Sequence, residues 1–385
     1  MSRSMLVLCP YPEGVAAGQR LKYEQYFDDW RARGWTIDVS PFMDMGTWKV
    51  AYQPGRVGAK ALGVLRGHLR RLRDLARVRR YDLVYVFMWV TPLGTSWMER
   101  LVRRLARHVV YDVEDNVVVG QALPRGYNPN ALASLLKGPH KARFLIRNAD
   151  HVIASSAFLR DYCLQELGAR ACTYVSSSVD TSRFVPRTQA AGGRKVTIGW
   201  TGTFSSRVYL DALRGVFQEL ARRVDYRLRV IGNFEYELPG VDLEVVQWSK
   251  EKEVEDLQGI DIGVYPLPRD EWVMGKSGLK AIQYMAFGLP TVATEAGMTP
   301  LIIRHEENGL LVRTDAEWVD ALQRLVLDSA LRESLGGKAR EDAERKYSIR
   351  AISSDYRGVL DQVLGKELSD GRQEDLHGGL RRDAR

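Results

Sequence analysis

The sequence predicts an α/β protein in two units, each a parallel sheet covered on both faces, and three observations carry that prediction. Short apolar segments alternate with longer amphipathic ones along most of the 385 residues. The chain exceeds the size at which one hydrophobic core usually keeps growing, so two domains are expected. The alternation lapses once, in the polar stretch VDTSRFVPRTQAAGGRK at residues 179–195, and then restarts. With 45% hydrophobic and 27% charged residues, the composition is that of a soluble globular protein.

In chain order, SMLVLC is a short apolar strand, GQRLKYEQYFDDWRARG a helix closed by Gly34, and WTIDVSPF a strand ended before Pro41. Residues 56–80 carry nine basic residues against one acid, Asp74. Leu62, Leu65, Leu69, Leu72 and Ala76 recur there at helical spacing, which predicts a helix with one apolar face and arginines on the others, weakened by Gly63 and Gly67. Strands follow at YDLVYVFM, HVVYDV, DHVIAS and ACTYVS, with helices between them, one of which opens after Ser155 or Ser156. The second unit places strands at KVTIGWTG, LRVIG, VDLEVVQW, DIGVYPL, LPTVAT and NGLLV. The expected divisions are a domain over residues 1–182, a linker over 183–194, a domain over 195–346, a helix over 347–365 and a disordered polar tail over 366–385.

No apolar run approaches the roughly 20 residues a membrane-spanning helix needs. The run at residues 5–9 is too short for a signal peptide, so the expected location is cytoplasmic. Cys9, Cys163 and Cys172 are odd in number and lack metal-ligand spacing; they read as buried thiols. The net charge of +8 is uneven: to residue 180, Lys and Arg number 26 against 16 acids, and beyond it 30 against 32. The basic segment at 56–80 is either a solvated helix or one that sits on the anionic inner face of the cell membrane. No recognition fold or aromatic-interleaved basic patch supports nucleic-acid binding.

In open parallel sheets, ligands bind at turns leading from strand ends into helix starts, and three such turns stand out. CPYPEGVAAGQR has Gly14 and Gly18 but no compact GxGxxG, which sets aside a conventional nicotinamide site. Its glycines allow close backbone approach to a ligand in the cleft between domains, with Gln19 and Arg20 at the helix start, or else merely permit a turn. GWTGTFSSR offers Gly202, Thr203, Ser205, Ser206 and Arg207, whose amides, helix dipole and guanidinium favour a phosphate; the alternative is a flexible turn with a solvent-facing arginine. In MGKSGLKAIQYMAFGLPTV, Ser277 is the expected N-cap, Gly278 permits close approach, and the helix ends at Gly288. Lys280 and Gln283 share one face, with Lys276 just before the cap; on a purely structural helix they would be surface groups.

GKSGLKAIQYMAFGLPTVAT followed by HEENGLLV resembles the donor-site region of glycosyltransferase family 4. YPEGVAAGQRLKYEQYF, HVVYDVEDN, SSSVDTSRFVP and DIGVYPLP are similar to further parts of that family, from about Leu6 to Gly365. The resemblance implies the GT-B fold, two Rossmann-like parallel-sheet domains facing each other across a cleft, with the acceptor on the N-terminal side and the nucleotide sugar on the C-terminal side. It implies a retaining transfer without metal or cofactor from a UDP, GDP or dTDP sugar to a glycan or lipid-linked acceptor. Two glutamates usual in the donor motif are replaced by Gly275 and Gln283, and the usual arginine and lysine of the phosphate turn by Thr203 and Val208. A glutamine amide can share a ribose hydrogen bond, whereas glycine has no side chain to offer the sugar. Arg207 and Lys276 remain as cations for the leaving diphosphate. Glu114, aligned with a frequent family histidine, and the adjacent Asp115 are the candidate catalytic acids, or else a loop-bracing pair. Two other readings stay open: a metal-dependent transferase with a Mn²⁺ site in DVED, and a non-catalytic nucleotide- or partner-binding scaffold.

Overall fold

The computed structural model describes residues 3–365 apart from 52, 54, 93, 115–138 and 188–192. Asp115, part of the expected linker and the expected tail at 366–385 lie outside the described residues. The first sheet contains β1 (Arg3–Cys9), β2 (Trp35–Pro41), β3 (Leu83–Phe87), β4 (Val109–Val113), β5 (His151–Ala154) and β6 (Cys172–Tyr174). The second contains β7 (Thr197–Thr201), β8 (Arg227–Gly232), β9 (Leu243–Gln247), β10 (Ile262–Tyr265), β11 (Thr291–Thr294) and β12 (Gly309–Val312). Their orders are β2-β1-β3-β4-β5-β6 and β12-β11-β10-β7-β8-β9, with parallel pairing in both. The order reverses beside β1 in one sheet and beside β7 in the other, which opens a crevice beyond the carboxyl ends of those strands.

Strands buried on both faces read as continuous apolar runs because successive side chains enter different cores. In β1, Leu6 and Leu8 pack with Val84 and Val109, while Met5, Val7 and Cys9 pack with Trp30 and Tyr85 on the opposite face. The helix Ile349–Val363 belongs to this second core: it returns from the second unit and inserts Ile352, Tyr356, Val359 and Leu360.

Two local expectations are corrected. The helix expected from residue 18 to Gly34 is broken into Ala17–Arg20, a 3-10 turn Glu24–Tyr26 and Phe27–Ala32. Residues 19–23 are all buried, and no single helix face can bury five consecutive side chains. β2 continues through Pro41, which an edge strand tolerates because no ladder hydrogen bond is forfeited on its outer side.

The basic segment is helical over Val57–Arg77, as expected, and its apolar stripe faces outward. Its buried positions are Gly63, Gly67, Arg71 and Asp74. Leu62, Leu65, Leu69 and Leu72 are 46–56% exposed. The glycines let the helix close on Thr47 and Phe42; a Cβ at Gly67 would stand 2.5 Å from the Phe42 ring. Arg71 is satisfied inside by the carbonyls of Cys9 (2.9 Å), Ser40 (3.0 Å) and Val90 (2.8 Å) and by Asp74 (3.0 Å). Arg70 likewise turns in, to the carbonyls of Pro41 and Phe42.

Candidate functional site

The two units are joined by a buried ion pair near the crevice beyond β1. Arg20 donates to both carboxylate oxygens of Glu253, at 2.8 and 2.9 Å, with both side chains buried. Arg183 reaches the same carboxylate at 3.3 Å. Arg20 is therefore the last residue of the short helix Ala17–Arg20 rather than part of the helix start expected from the sequence, and its charge is committed to the opposite domain.

On the donor side, the chain leaves β7 through Gly202, where a Cβ would overlap the Trp200 ring and lie 2.6 Å from Ser206 Oγ. Thr203 N–H donates to Ser206 Oγ (3.0 Å) and Phe204 N–H to Asn233 Oδ1 (2.8 Å), which winds the turn into a 3-10 segment before the helix Arg207–Asp211. Thr203 Oγ1 lies 3.0 Å from Ser205 Oγ. Arg207 lies over the rings of Phe204 (5.5 Å) and Phe234 (5.9 Å), with its Nε 3.4 Å from Asp211. Its charge is thus shared with an acid of its own helix.

Facing this turn is the helix Leu279–Ala286. Its N-cap is Gly278 rather than the expected Ser277: Gly278 has φ +73°, and a Cβ there would overlap Ile302, so only glycine fits. Ser277 is buried one residue earlier. Tyr284 accepts from Thr201 N–H at 3.0 Å and packs where Gly263 leaves room, which fixes the helix to the end of β7. Lys280 Nζ is held 4.7 Å from the centre of the Trp200 ring and 3.5 Å from Ser206 Oγ. Lys276 Nζ lies 5.7 Å from the rings of both Tyr209 and Trp272. Gln283, 6% exposed, is buried one turn beyond Lys280. The structure therefore brings Lys280 to the turn that holds Gly202, Thr203 and Ser206, and Lys276 to the helix that follows it, while Gln283 is buried in the facing helix. Sequence reasoning missed the aromatic platforms Trp200, Tyr209 and Trp272; the tryptophan inside GWTG was the available signal.

Across the crevice, Gly14 and Gly18 shape the loop after β1. Gly14 has φ +77°, and a Cβ on it would lie 3.3 Å from Lys250 Nζ of the second unit. A Cβ on Gly18 would lie 2.8 Å from Glu114 Oε2, so the absent side chain lets the acid lie against the loop. Gln19 is fully buried and braces the loop: its amide exchanges hydrogen bonds with Tyr11 N–H and C=O, both 3.0 Å, and donates to Glu24 (2.8 Å). Glu24 in turn accepts from Gly14 N–H at 2.8 Å, and burial raises its pKa. Asp112 of the same acidic turn is fully buried against Lys22 (2.5 Å) and the Tyr85 hydroxyl, so it is not available to a metal in the crevice.

The Asn308 of the NGLL segment is structural. Its amide donates to Asp342 (2.8 Å) and accepts from Arg304 N–H (2.8 Å). Burial alone would raise the Asp342 pKa, but bonds from Asn308, Lys346, Arg304 and Arg345 hold it down to about 2.

Residues 195–328 match the family described as glycosyl transferases group 1, and residues 17–176 match the glycosyl transferase 4-like domain. A D-inositol 3-phosphate glycosyltransferase of Corynebacterium kroppenstedtii is 31% identical over 321 residues, covering 73% of this chain and 68% of that protein. Another, from Saccharomonospora viridis, is 44% identical over 96 residues, so the matched stretch spans 24% of this chain and only 22% of that relative. Among solved structures, sucrose-phosphate synthase from Thermosynechococcus elongatus superposes with a TM-score of 0.68 at 17% identity, over 94% of this chain and 99% of that one. Anabaena HepE in complex with UDP and glucose gives 0.63 at 15% identity, over 94% and 100%. These likenesses carry the two-sheet fold, and the sequence matches carry the lineage: the chain belongs to glycosyltransferase family 4, the retaining glycosyltransferases of the GT-B fold.

Proposed function

We propose that the chain is a metal-independent retaining glycosyltransferase that moves a sugar from a nucleotide-diphosphate sugar to a glycan or lipid-linked acceptor in cell-surface polysaccharide biosynthesis. One observation carries the reading: Lys280, over the Trp200 ring, reaches Ser206 of the hydroxyl-rich turn after β7, and Lys276 lies over Tyr209 of the helix that follows that turn. Negative charge that develops on a departing diphosphate is stabilised by fixed ammonium groups and helix-start amides without reorganisation. Gln283 is the residue for the ribose. Glu114, held against Gly18, stabilises the oxocarbenium-like centre or orients the acceptor hydroxyl, while the departing phosphate takes the acceptor proton. UDP in the HepE structure supports a UDP-type donor. A thermal-shift panel of UDP, GDP and dTDP tests this: one nucleotide should raise the midpoint selectively. Stabilisation by none, or turnover abolished by chelator, would overturn the reading.

The proposal extends to the membrane as the place where the acceptor is met. Leu62, Leu65, Leu69 and Leu72, with Trp97 and Leu101 of the neighbouring helix Trp97–Leu105, are exposed large apolar residues on the first domain. Arg66, Arg73, Arg79, Arg80, Arg100 and Arg104 are exposed on the same two segments, whose acids Asp74 and Glu99 are buried. An apolar stripe rimmed by arginines suits an anionic lipid surface. Co-sedimentation with anionic but not neutral vesicles is the expected result; no binding to either favours a soluble acceptor.

A further inference from the structure

The donor-side turn is not held by its own domain alone. After β5 come Ser155 and Ser156, 1% and 0% exposed. Ser156 caps the helix Ala157–Gln165, accepting from Leu159 N–H at 3.0 Å, and donates to the carbonyl of Met274 at 2.8 Å. Ser155 Oγ donates to the carbonyl of Gly275 at 2.9 Å. Both carbonyls belong to the 3-10 turn Val273–Gly275, and the next residue is Lys276. The first domain thus grips the two peptide groups that immediately precede the lysine.

A buried carbonyl that would lose its donor on rotation keeps its peptide plane fixed. The plane between Gly275 and Lys276 sets the direction in which the lysine stem leaves the backbone. That matters for a flexible side chain whose ammonium must end at one point, here over Tyr209 and Trp272. Gly275 itself adds no side chain, and its carbonyl is occupied from across the crevice. The turn is also braced locally, by Val273 N–H to Asp270 (2.9 Å), Gly275 N–H to the Trp272 carbonyl (3.2 Å) and Lys276 N–H to the Val273 carbonyl (3.0 Å).

We propose that Ser155 and Ser156 are positioning residues for the donor: the acceptor-side domain, through two hydroxyls, aims Lys276 at the diphosphate. Donor affinity then depends on hydroxyls that never touch the donor, which couples its binding to the docking of the two domains. The inference rests on the donor-site reading of the crevice.

A double-mutant cycle tests it. UDP is titrated calorimetrically into the full chain, or GDP or dTDP where the thermal panel selects it. The variants are Ser155→Ala/Ser156→Ala, Lys276→Ala and the combination. The serine changes should weaken binding about three- to tenfold, and little further loss should appear once Lys276 is gone, because groups acting through one another are not additive. Ser156→Thr, which keeps both cap and hydroxyl, should bind like the parent. Ser155→Ala alone leaves the cap intact and serves if the double change unfolds the chain. Unchanged affinity in the serine variants, or losses that add fully to that of Lys276→Ala, would overturn the proposal. If Lys276→Ala itself leaves affinity unchanged, the donor-site reading fails first.

Discussion

Lys276 and Lys280 occupy positions where the loss of one ammonium is felt directly. Each is replaceable by alanine without opening the core, and a charge-assisted bond to phosphate is worth about 1.5–3 kcal/mol, so each variant should bind nucleotide diphosphate about tenfold more weakly or worse by calorimetry. Arg207→Ala should lose only about two- to threefold in affinity, because that guanidinium is already shared with Asp211 of its own helix. Glu114→Gln should lower turnover more than donor affinity, and equal turnover would leave the acid a brace for the Gly18 loop. Asp342 carries a pH signature. Its folded pKa is depressed to about 2, below the ordinary carboxylate value near 4, so its stabilisation is present above about pH 4 and is lost as pH falls toward 2. Denaturation of Asp342→Asn should therefore differ from the parent at pH 7 and converge with it in acid. These residues were unequally legible in the sequence. Helical spacing puts Lys280 and Gln283 on one face with Lys276 just before the cap, and only the family resemblance made them donor candidates, whereas Ser155 could not be paired with Gly275, because nothing local to either residue signals a bond across 120 positions.

At the scale of the element, strand and helix alternation gave the two sheets because buried parallel strands are apolar runs whatever their neighbours. The helix Val57–Arg77 shows where that reasoning stops. Periodicity reveals an apolar stripe but not which side of the helix the protein covers, and here Gly63 and Gly67 win the inner face by permitting the closest approach. Two consequences can be measured by chemical denaturation. Gly67→Ala should destabilise by about 1–3 kcal/mol, since its methyl has no space beside Phe42. Leu65→Gln with Leu69→Gln should stay within about 0.5 kcal/mol per site, as exposed positions do, while vesicle binding falls. The opposite ranking would mean that the leucine face is buried in solution.

For the molecule as a whole, Arg20 and Glu253 form a buried charge contact between the domains. Removing one partner strands the other, so Glu253→Gln should cost about 3–5 kcal/mol or loosen the docking of the domains, visible as a larger radius in small-angle scattering. The two-domain plan was legible because the alternation of strands lapses between β6 and β7. The crossing of the helix Ile349–Val363 was not, because its apolar face fits a sheet of either unit. That crossing bears on how the protein is made. A ribosome releases the N-terminal unit first, yet Tyr26, Trp30 and Tyr85 wait for Tyr356 and Leu360, which emerge only after the second unit. The first unit therefore cannot finish folding during its own translation, and it spends the synthesis of some 170 further residues with an aromatic groove open to chaperones. A fragment of residues 1–182 should bind hydrophobic dye strongly, and a peptide of residues 347–365 added in trans should quench that signal.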